Sequence, residues 1–185
     1  MPTHEVKADP PAIAPLTWPA VSTLTTSPFG PRLKVSDADR FDWHQGIDIG
    51  GTNGENIYSI ADGTVDGVYT EGSPQYPDGG NVIRVRHYDD NADRYYSVYM
   101  HLKTMAVAKD DPVNAGDVIG TMGQSGDTTF DHLHFELREL TSCSLESQNG
   151  GGCPTSATGE DPHMNPIEHL FASDVIAPTV SVESF

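Results

Sequence analysis

Short apolar segments separated by turn residues constrain the fold of this chain more than any other feature. The 185 residues include 18 glycines and 14 prolines, which disfavour long helices and mark turns. Five short segments follow at close intervals, at 57–60, 64–69, 81–87, 95–102 and 113–123, the last with small turns at 114–116 and 120. Their length and spacing are typical of strands. The sequence therefore predicts a mostly β fold, a small antiparallel sheet domain with one short C-terminal helix.

The domain limits follow from composition. Residues 1–16 are rich in Pro and Ala and are predicted to form an extended lead-in. Residues 17–172 form the predicted domain. Its last element is a helix that Asn165 caps, with Pro166 at the first helical position. Residues 173–185 are predicted to be a tail or a linker, in the second case to a further C-terminal domain outside this chain.

Charge and hydropathy exclude several partners. The formal net charge is -17 and the isoelectric point is about 4.5. Such a polyanion is repelled by phosphate backbones and anionic membrane surfaces, so we expect no nucleic-acid partner. No run is apolar enough to span a bilayer, so we also expect no membrane insertion. The first residues lack the basic and apolar regions of a signal peptide. If the protein is exported, we expect this sequence to be a mature form or an excised part of a longer chain. We also expect a monomer.

The two cysteines, Cys143 and Cys153, bracket a polar, Gly-rich stretch. We predict a disulfide that closes an insertion loop at 141–160, which implies an oxidising compartment. The alternative is a pair of free thiols in a cytosolic protein. Neither cysteine has the spacing of a zinc knuckle or a redox motif.

Histidines on one strand provide the first functional signal. In the extended segment 132–136, His132, His134 and Glu136 lie on one face, while Leu133 and Phe135 lie on the other. One strand would thus present two imidazoles on one face, while its other, apolar face packs into the core and anchors it.

A second group contains His44 and Asp48, four residues apart. The glycines around them argue against a helix. On an extended strand Gly46 would lie between the two ligands and leave room for an ion. A third segment ends at His101, which would share a strand face with Tyr99.

These residue types suit metal-assisted hydrolysis. Two imidazoles and one carboxylate make a three-ligand zinc set with one open position. A further, uncoordinated histidine can take a proton and return it to a leaving amine. Spacing alone does not decide which histidines bind the metal.

The chain resembles the lysostaphin-type zinc metalloendopeptidases over about residues 17–172. The matching segments, in order, are Ser27–Arg32, His44–Ile49, Ala61–Val65, Gly80–Val82, Tyr99–Leu102, Gly116–Gly120, His132–Glu136 and Asn165–Pro166. The resemblance implies a small antiparallel sheet system with a groove across it. It also implies hydrolysis of peptide bonds in bacterial peptidoglycan, in cross-bridges or stem peptides, by a secreted or periplasmic enzyme.

The resemblance also implies residue roles. Zinc, one ion per chain, would be held by His44, Asp48 and His134. His101 and His132 would be the catalytic, non-ligand pair that orients water and stabilises the oxyanion.

Some positions depart from the family. Asp131 stands before His132, where small residues or Pro are usual, and could raise the basicity of His132. Some members have a tyrosine shortly before the first ligand. Here Phe41 and Trp43 occupy that approach, which leaves Tyr99 as a weak substitute.

Other polar residues are expected to be structural. Arg32 either pairs with a groove carboxylate or pins its loop, and we favour the loop. His87 is expected in a structural position, and His163 and His169 at the surface. His4 lies in the lead-in, and the aspartates of 89–93 are expected in a solvated turn.

Two other functions compete with the peptidoglycan endopeptidase. One is a non-catalytic wall-binding or regulatory module of the same fold. The other is a same-fold peptidase that acts on Gly-rich proteins. The complete ligand set favours an enzyme, because non-catalytic members typically lose ligands.

Overall fold

The computed structural model describes residues 16–34, 37–88, 94–139 and 163–170. Thirteen strands and one helix lie in these ranges. They are β1 (Thr25–Ser27), β2 (Gly30–Lys34), β3 (Asp37–His44), β4 (Ile47–Gly50), β5 (Asn56–Tyr58), β6 (Gly63–Tyr69), β7 (Val82–Tyr88), β8 (Arg94–Met100), β9 (Leu102–Met105), β10 (Pro112–Val113), β11 (Val118–Met122), β12 (His132–Glu139), β13 (His163–Met164) and α1 (Pro166–Leu170).

The strands form three antiparallel sheets. The large sheet has eight strands, in the order β1-β4-β12-β8-β7-β6-β10, with β13 paired to β12. A three-stranded sheet has the order β5-β11-β9, and β2 pairs with β3. The predicted mostly β, antiparallel fold with one short helix is confirmed. Strand β12 lies inside the large sheet, where β4 and β8 hold it from both sides.

The core lies between one face of the large sheet and the three-stranded sheet. Leu133, Phe135 and Leu137 of β12 are completely buried in it, together with Ile57 of β5 and Ile119 of β11. Burial of one such side chain stabilises the fold by about 1.5–3 kcal/mol. The apolar face predicted for β12 is thus the one that anchors this strand.

A polar chain crosses the core at His87, which is fully buried as the structural prediction expected. Its Nδ1 donates to the carbonyl of Asp62 at 2.9 Å. Its Nε2 accepts from Ser97 Oγ at 2.7 Å. Burial lowers the pKa of His87 to about 4, so the ring is neutral near pH 7.

Two segments differ from their predicted structure. The segment 22–32, which is not among the five predicted strand segments, contains β1 and the start of β2, because β1 pairs with β4 and β2 with β3. The segment 95–102, predicted as one strand, is divided into β8 and β9 at His101, where φ is +61°. Both differences come from contacts with distant strands that local alternation does not encode.

The helix start is confirmed at Asn165. Its Oδ1 accepts from the backbone N–H of Ile167 at 3.2 Å, and its Nδ2 donates to Glu168 Oε1 at 3.0 Å. Within the described ranges, no helix has the length and apolar character needed to cross a bilayer. The predicted lead-in up to residue 15, the 89–93 turn, the Cys143–Cys153 disulfide and the tail lie outside the described residues.

Candidate metal centre

Adjacent strands bring the first site residues together. In the register of β12 with β4, His134 is opposite Asp48 and His132 is opposite Gly50. His44 is the last residue of β3, and the chain bends at residues 45 and 46 before β4 begins. The expectation that His44 and Asp48 share one strand is therefore wrong. They belong to consecutive strands and meet across the bend.

Three ligand atoms form a small triangle. His44 Nε2 lies 3.1 Å from Asp48 Oδ1 and 3.0 Å from His134 Nδ1, and the third side, from His134 Nδ1 to Asp48 Oδ1, is 2.9 Å. Tetrahedral zinc, with bonds of about 2.0–2.1 Å, keeps its ligand atoms about 3.3 Å apart. The group formed by His44, Asp48 and His134 thus has the donor types and nearly the spacing that zinc needs.

Acceptors behind the two imidazoles determine which nitrogen faces the triangle. Nδ1 of His44 lies 2.8 Å from the carbonyl of Pro28, which can only accept, so this nitrogen donates. Nε2 of His134 donates likewise to Glu136 Oε1 at 3.1 Å. Each ring therefore turns its other nitrogen towards Asp48. This is the usual arrangement for metal-ligating histidines.

His101 and His132 lie beside the triangle. Their rings are 4.7 Å apart, and the ring of His101 is 6.2 Å from that of His134. His101 Nδ1 donates to the carbonyl of Ser125 at 2.8 Å, and His132 Nδ1 donates to that of Phe130 at 3.0 Å. Both rings keep Nε2 available as an acceptor, and Nε2 of His132 lies 3.7 Å from Asp48 Oδ1.

Charges in the group are strongly coupled. Burial lowers the pKa of His134, but hydrogen bonds to Asp48 and Glu136 outweigh burial and raise this pKa to about 9. Burial likewise opposes ionisation of Asp48, but hydrogen bonds from His134 and His44 hold its pKa well below the usual range. A bridging proton thus neutralises the pair, and a metal ion would displace it on binding.

The imidazoles of His101 and His132 are neutral near pH 7. Burial lowers the pKa of His101 to about 4, against the opposing hydrogen bond to Ser125. Burial also lowers the pKa of His132, which the hydrogen bond to Phe130 only partly offsets. Both side chains are buried. Because their imidazoles are neutral, each can accept a proton at Nε2.

Arg32 contacts a site carboxylate. Its Nη1 donates to Asp48 Oδ2 at 3.2 Å and to Ser27 Oγ at 2.9 Å. Arg32 thus makes both of the contacts that the sequence left open, with a site carboxylate and with Ser27 of its own segment. The guanidinium occupies the Asp48 oxygen that faces away from the triangle, which leaves Oδ1 for the ligand group.

Two further expectations are corrected. Tyr99 is fully buried in the core, where its hydroxyl accepts from the backbone N–H of Ile60 at 3.1 Å, so it cannot replace a groove tyrosine. Asp131 accepts from Asn53 Nδ2 at 2.7 Å. His132 is oriented by the Phe130 carbonyl and not by Asp131.

The role expected of Gly46 is also wrong. A Cβ at this position would lie 2.3 Å from the carbonyl oxygen of Phe135 and 2.9 Å from Cγ of Glu136. The missing side chain therefore makes room for β12 and not for an ion. Glu136 is the neighbour of His134 to which sequence reasoning gave no role, although its spacing from His134 on one strand face was visible.

His163, expected at the surface, belongs to the same surroundings. It lies in β13, its side chain is 8% exposed, and its Nε2 is 3.7 Å from Glu136 Oε2. The pairing of β13 with β12 places it there. His169, in α1, is partly exposed.

Comparisons with known proteins agree with this geometry. The model of peptidase family M23 matches residues 42–148. The murein hydrolase activator NlpD of Salmonella typhimurium is 36% identical over 140 residues, which cover 68% of this chain and 35% of NlpD. A zinc-containing peptidase from Vibrio cholerae is 30% identical, with a TM-score of 0.56 over 66% of this chain and 36% of that one. The lysostaphin catalytic domain from Staphylococcus simulans is 23% identical, with a TM-score of 0.57 over 80% of this chain and 91% of that one.

An antiparallel sheet fold with a His-Asp-His group and two flanking imidazoles defines the class of metallopeptidase-like proteins. Within that class, the chain belongs to peptidase family M23. The resemblance to lysostaphin-type enzymes is thereby confirmed. The match covers about a third of the length of NlpD.

Proposed function

We propose that this chain is a zinc metalloendopeptidase that hydrolyses peptide bonds of bacterial peptidoglycan, in the cross-bridge or the stem peptide. One observation carries the proposal. Three ligand atoms lie within 3.1 Å of one another, and two neutral imidazoles beside them keep Nε2 available. A purely structural metal group would not need the second pair of imidazoles, His101 and His132.

In the proposed mechanism His44, Asp48 and His134 hold the zinc ion. Zinc, when bound, polarises a carbonyl and lowers the pKa of a coordinated water. His132 and His101 act as bases, because Nδ1 of each is committed to a carbonyl and Nε2 can accept a proton. Once protonated, either ring becomes a donor to the oxyanion or to the leaving amine.

The relatives support the substrate and the compartment. The Vibrio cholerae neighbour is a zinc-containing peptidase, and the Salmonella relative is an activator of murein hydrolases. We infer that residues 17–172 are a catalytic domain acting in the cell envelope, in a secreted or periplasmic protein. The acidic surface is unlike that of a protein that docks on anionic wall polymers.

The relationship to NlpD, a murein hydrolase activator, favours a second candidate. This is a regulatory module that binds murein and activates a separate hydrolase. The two functions make opposite predictions for the isolated chain. An enzyme releases muropeptides alone, whereas an activator does so only when a purified murein hydrolase is added.

The test combines metal analysis with muropeptide release from purified peptidoglycan. His134→Ala should lose both zinc and activity, while His101→Ala should keep zinc and lose activity. His169→Gln, which changes a histidine outside the group, is the control and should behave as the wild type. Full activity in both site variants would refute the proposed roles.

The bond that is cut requires a substrate panel. Pentaglycine, stem peptides and an elastin-like polypeptide separate the two peptidoglycan bonds from Gly-rich proteins. Cleavage of the elastin-like substrate alone would contradict the peptidoglycan assignment.

A further inference from the structure

Glu136 is a buried carboxylate next to the metal centre. It lies two residues after His134 on the same face of β12 and is 2% exposed. Burial of a carboxylate costs several kcal/mol unless hydrogen bonds and an opposite charge compensate. The contacts of Glu136 therefore show what holds it there.

The two carboxylate oxygens have different partners. Oε1 accepts from His134 Nε2 at 3.1 Å. Oε2 accepts from Arg138 Nε at 2.6 Å and from Arg138 Nη2 at 2.5 Å. The Glu136 side chain thus links the guanidinium of Arg138 to the outer nitrogen of His134, a predicted metal ligand. The three residues occupy alternate positions of β12.

Neighbouring residues make room for this arrangement. At Gly46 any Cβ would approach Cγ of Glu136 to 2.9 Å. Nε2 of His163 lies 3.7 Å from Oε2. The space around Glu136 is therefore shaped by the bend before β4, by β12 and by β13 together.

We propose that Glu136, held by Arg138, is a positioning residue that fixes the ring of His134 and strengthens it as a metal ligand. This inference depends on the zinc site of the proposed function. It goes beyond that function by giving a role to a residue that would touch neither metal nor substrate.

The physical reason lies in the kind of acceptor. The outer nitrogens of His44, His101 and His132 all donate to backbone carbonyls, of Pro28, Ser125 and Phe130. Among the four site histidines, His134 alone donates to a carboxylate. An ionised acceptor makes a stronger hydrogen bond and leaves more electron density on Nδ1, the nitrogen that faces Asp48.

The experiment measures zinc affinity by competition with a chromophoric chelator, and records the absorption spectrum of the cobalt-substituted protein. Glu136→Gln keeps an oxygen for His134 but loses the charge, and Glu136→Met loses both. Loss of such an outer partner typically weakens metal binding by about 10–100-fold. We expect a loss near the upper limit for Glu136→Met, a smaller loss for Glu136→Gln, and a changed cobalt spectrum in both.

Glu139→Gln removes an exposed carboxylate from the same strand and should leave zinc affinity unchanged. Folding is checked on the metal-free proteins by circular dichroism and urea unfolding. If Glu136→Met does not fold, Glu136→Gln decides the result. The double variant E136M/R138M also removes the arginine that would otherwise be buried without its partner.

Failure of this inference differs from failure of the proposed function. If the wild type binds zinc and both folded Glu136 variants bind it equally well, Glu136 is only a structural partner of Arg138 and the inference is wrong. If the wild type binds no zinc, both the inference and the proposed function are wrong.

Discussion

His101 and Tyr99 stand two residues apart in the sequence, yet their side chains lie on opposite faces of the large sheet. The Tyr99 ring packs 5.3 Å from that of Phe135 in the core, whereas the His101 ring lies 4.7 Å from that of His132. The reversal comes from the backbone of His101, whose φ is +61°. A left-handed residue of this kind costs about 1–2 kcal/mol without the freedom of glycine.

This reversal predicts an unusual order of stability at position 101. The free energy of unfolding of His101→Gly should be equal to or above that of His101→Ala, because glycine adopts positive φ without strain. In strand β9 the order should be the normal one, with Lys103→Gly less stable than Lys103→Ala by about 0.5–1 kcal/mol. Urea unfolding of the four variants measures both differences. The same order at both positions would contradict a strained backbone at His101.

Zinc should stabilise the folded chain through Asp48. Saturation of the His-Asp-His group at 100 times the dissociation constant adds about 2.7 kcal/mol to the free energy of unfolding. A zinc titration of chelator-treated protein, followed by thermal unfolding, should therefore raise Tm for the wild type. The rise should vanish in Asp48→Asn and persist in Asp127→Asn, which changes an exposed loop aspartate. An equal rise in Asp48→Asn would place zinc elsewhere.

Acid should destabilise the fold through His87. The pKa of His87 is about 4 in the folded chain and about 6.5 in an unfolded one. The unfolded state therefore binds the proton first, and stability falls as pH drops from about 6.5 towards 4. At pH 5 the loss relative to pH 7 is about 2 kcal/mol from this residue.

Urea unfolding of the wild type and His87→Gln at pH 7 and pH 5 isolates this contribution. Other titrating groups act in both proteins, so the variant should lose less stability between the two pH values. Equal losses would show that His87 does not remain neutral in the folded state.

Gly46→Ala should damage both the fold and the metal centre. The new Cβ would meet the Phe135 carbonyl at 2.3 Å, so β12 must move away from the bend. Overpacking of this kind costs about 1–3 kcal/mol, and the displacement also reaches Glu136. Gln45→Ala, an exposed neighbour, is the control. Urea unfolding and zinc titration should show losses in the first variant only.

Local geometry explains why the faces of β12 could be predicted. Alternation in an extended segment is a property of the chain itself, so His132 and His134 lie together wherever the strand is placed. The apolar face, with Leu133 and Phe135, follows from the same period. The helix start at Asn165 was predictable for a similar reason, because capping involves only neighbouring residues.

Contacts with distant segments explain what could not be predicted. The space at Gly46 is filled from β12, about ninety positions later. Arg32 reaches Asp48 because β2 and β4 converge at the site. His101 leaves its predicted face because its backbone N–H donates to the carbonyl of Gly79 at 2.8 Å and its ring to that of Ser125. None of these contacts leaves a periodic signal near the residue it affects.

The strand β12 contains site and core residues in strict alternation, and both neighbours hold it in register. Deletion of one residue inside it would exchange the two sets, placing His134 in the apolar interior and Phe135 beside Asp48. Changes of length in this strand should therefore disrupt the metal site and the packing of the core together. Natural variants of the domain should therefore admit insertions and deletions only beyond the ends of β12.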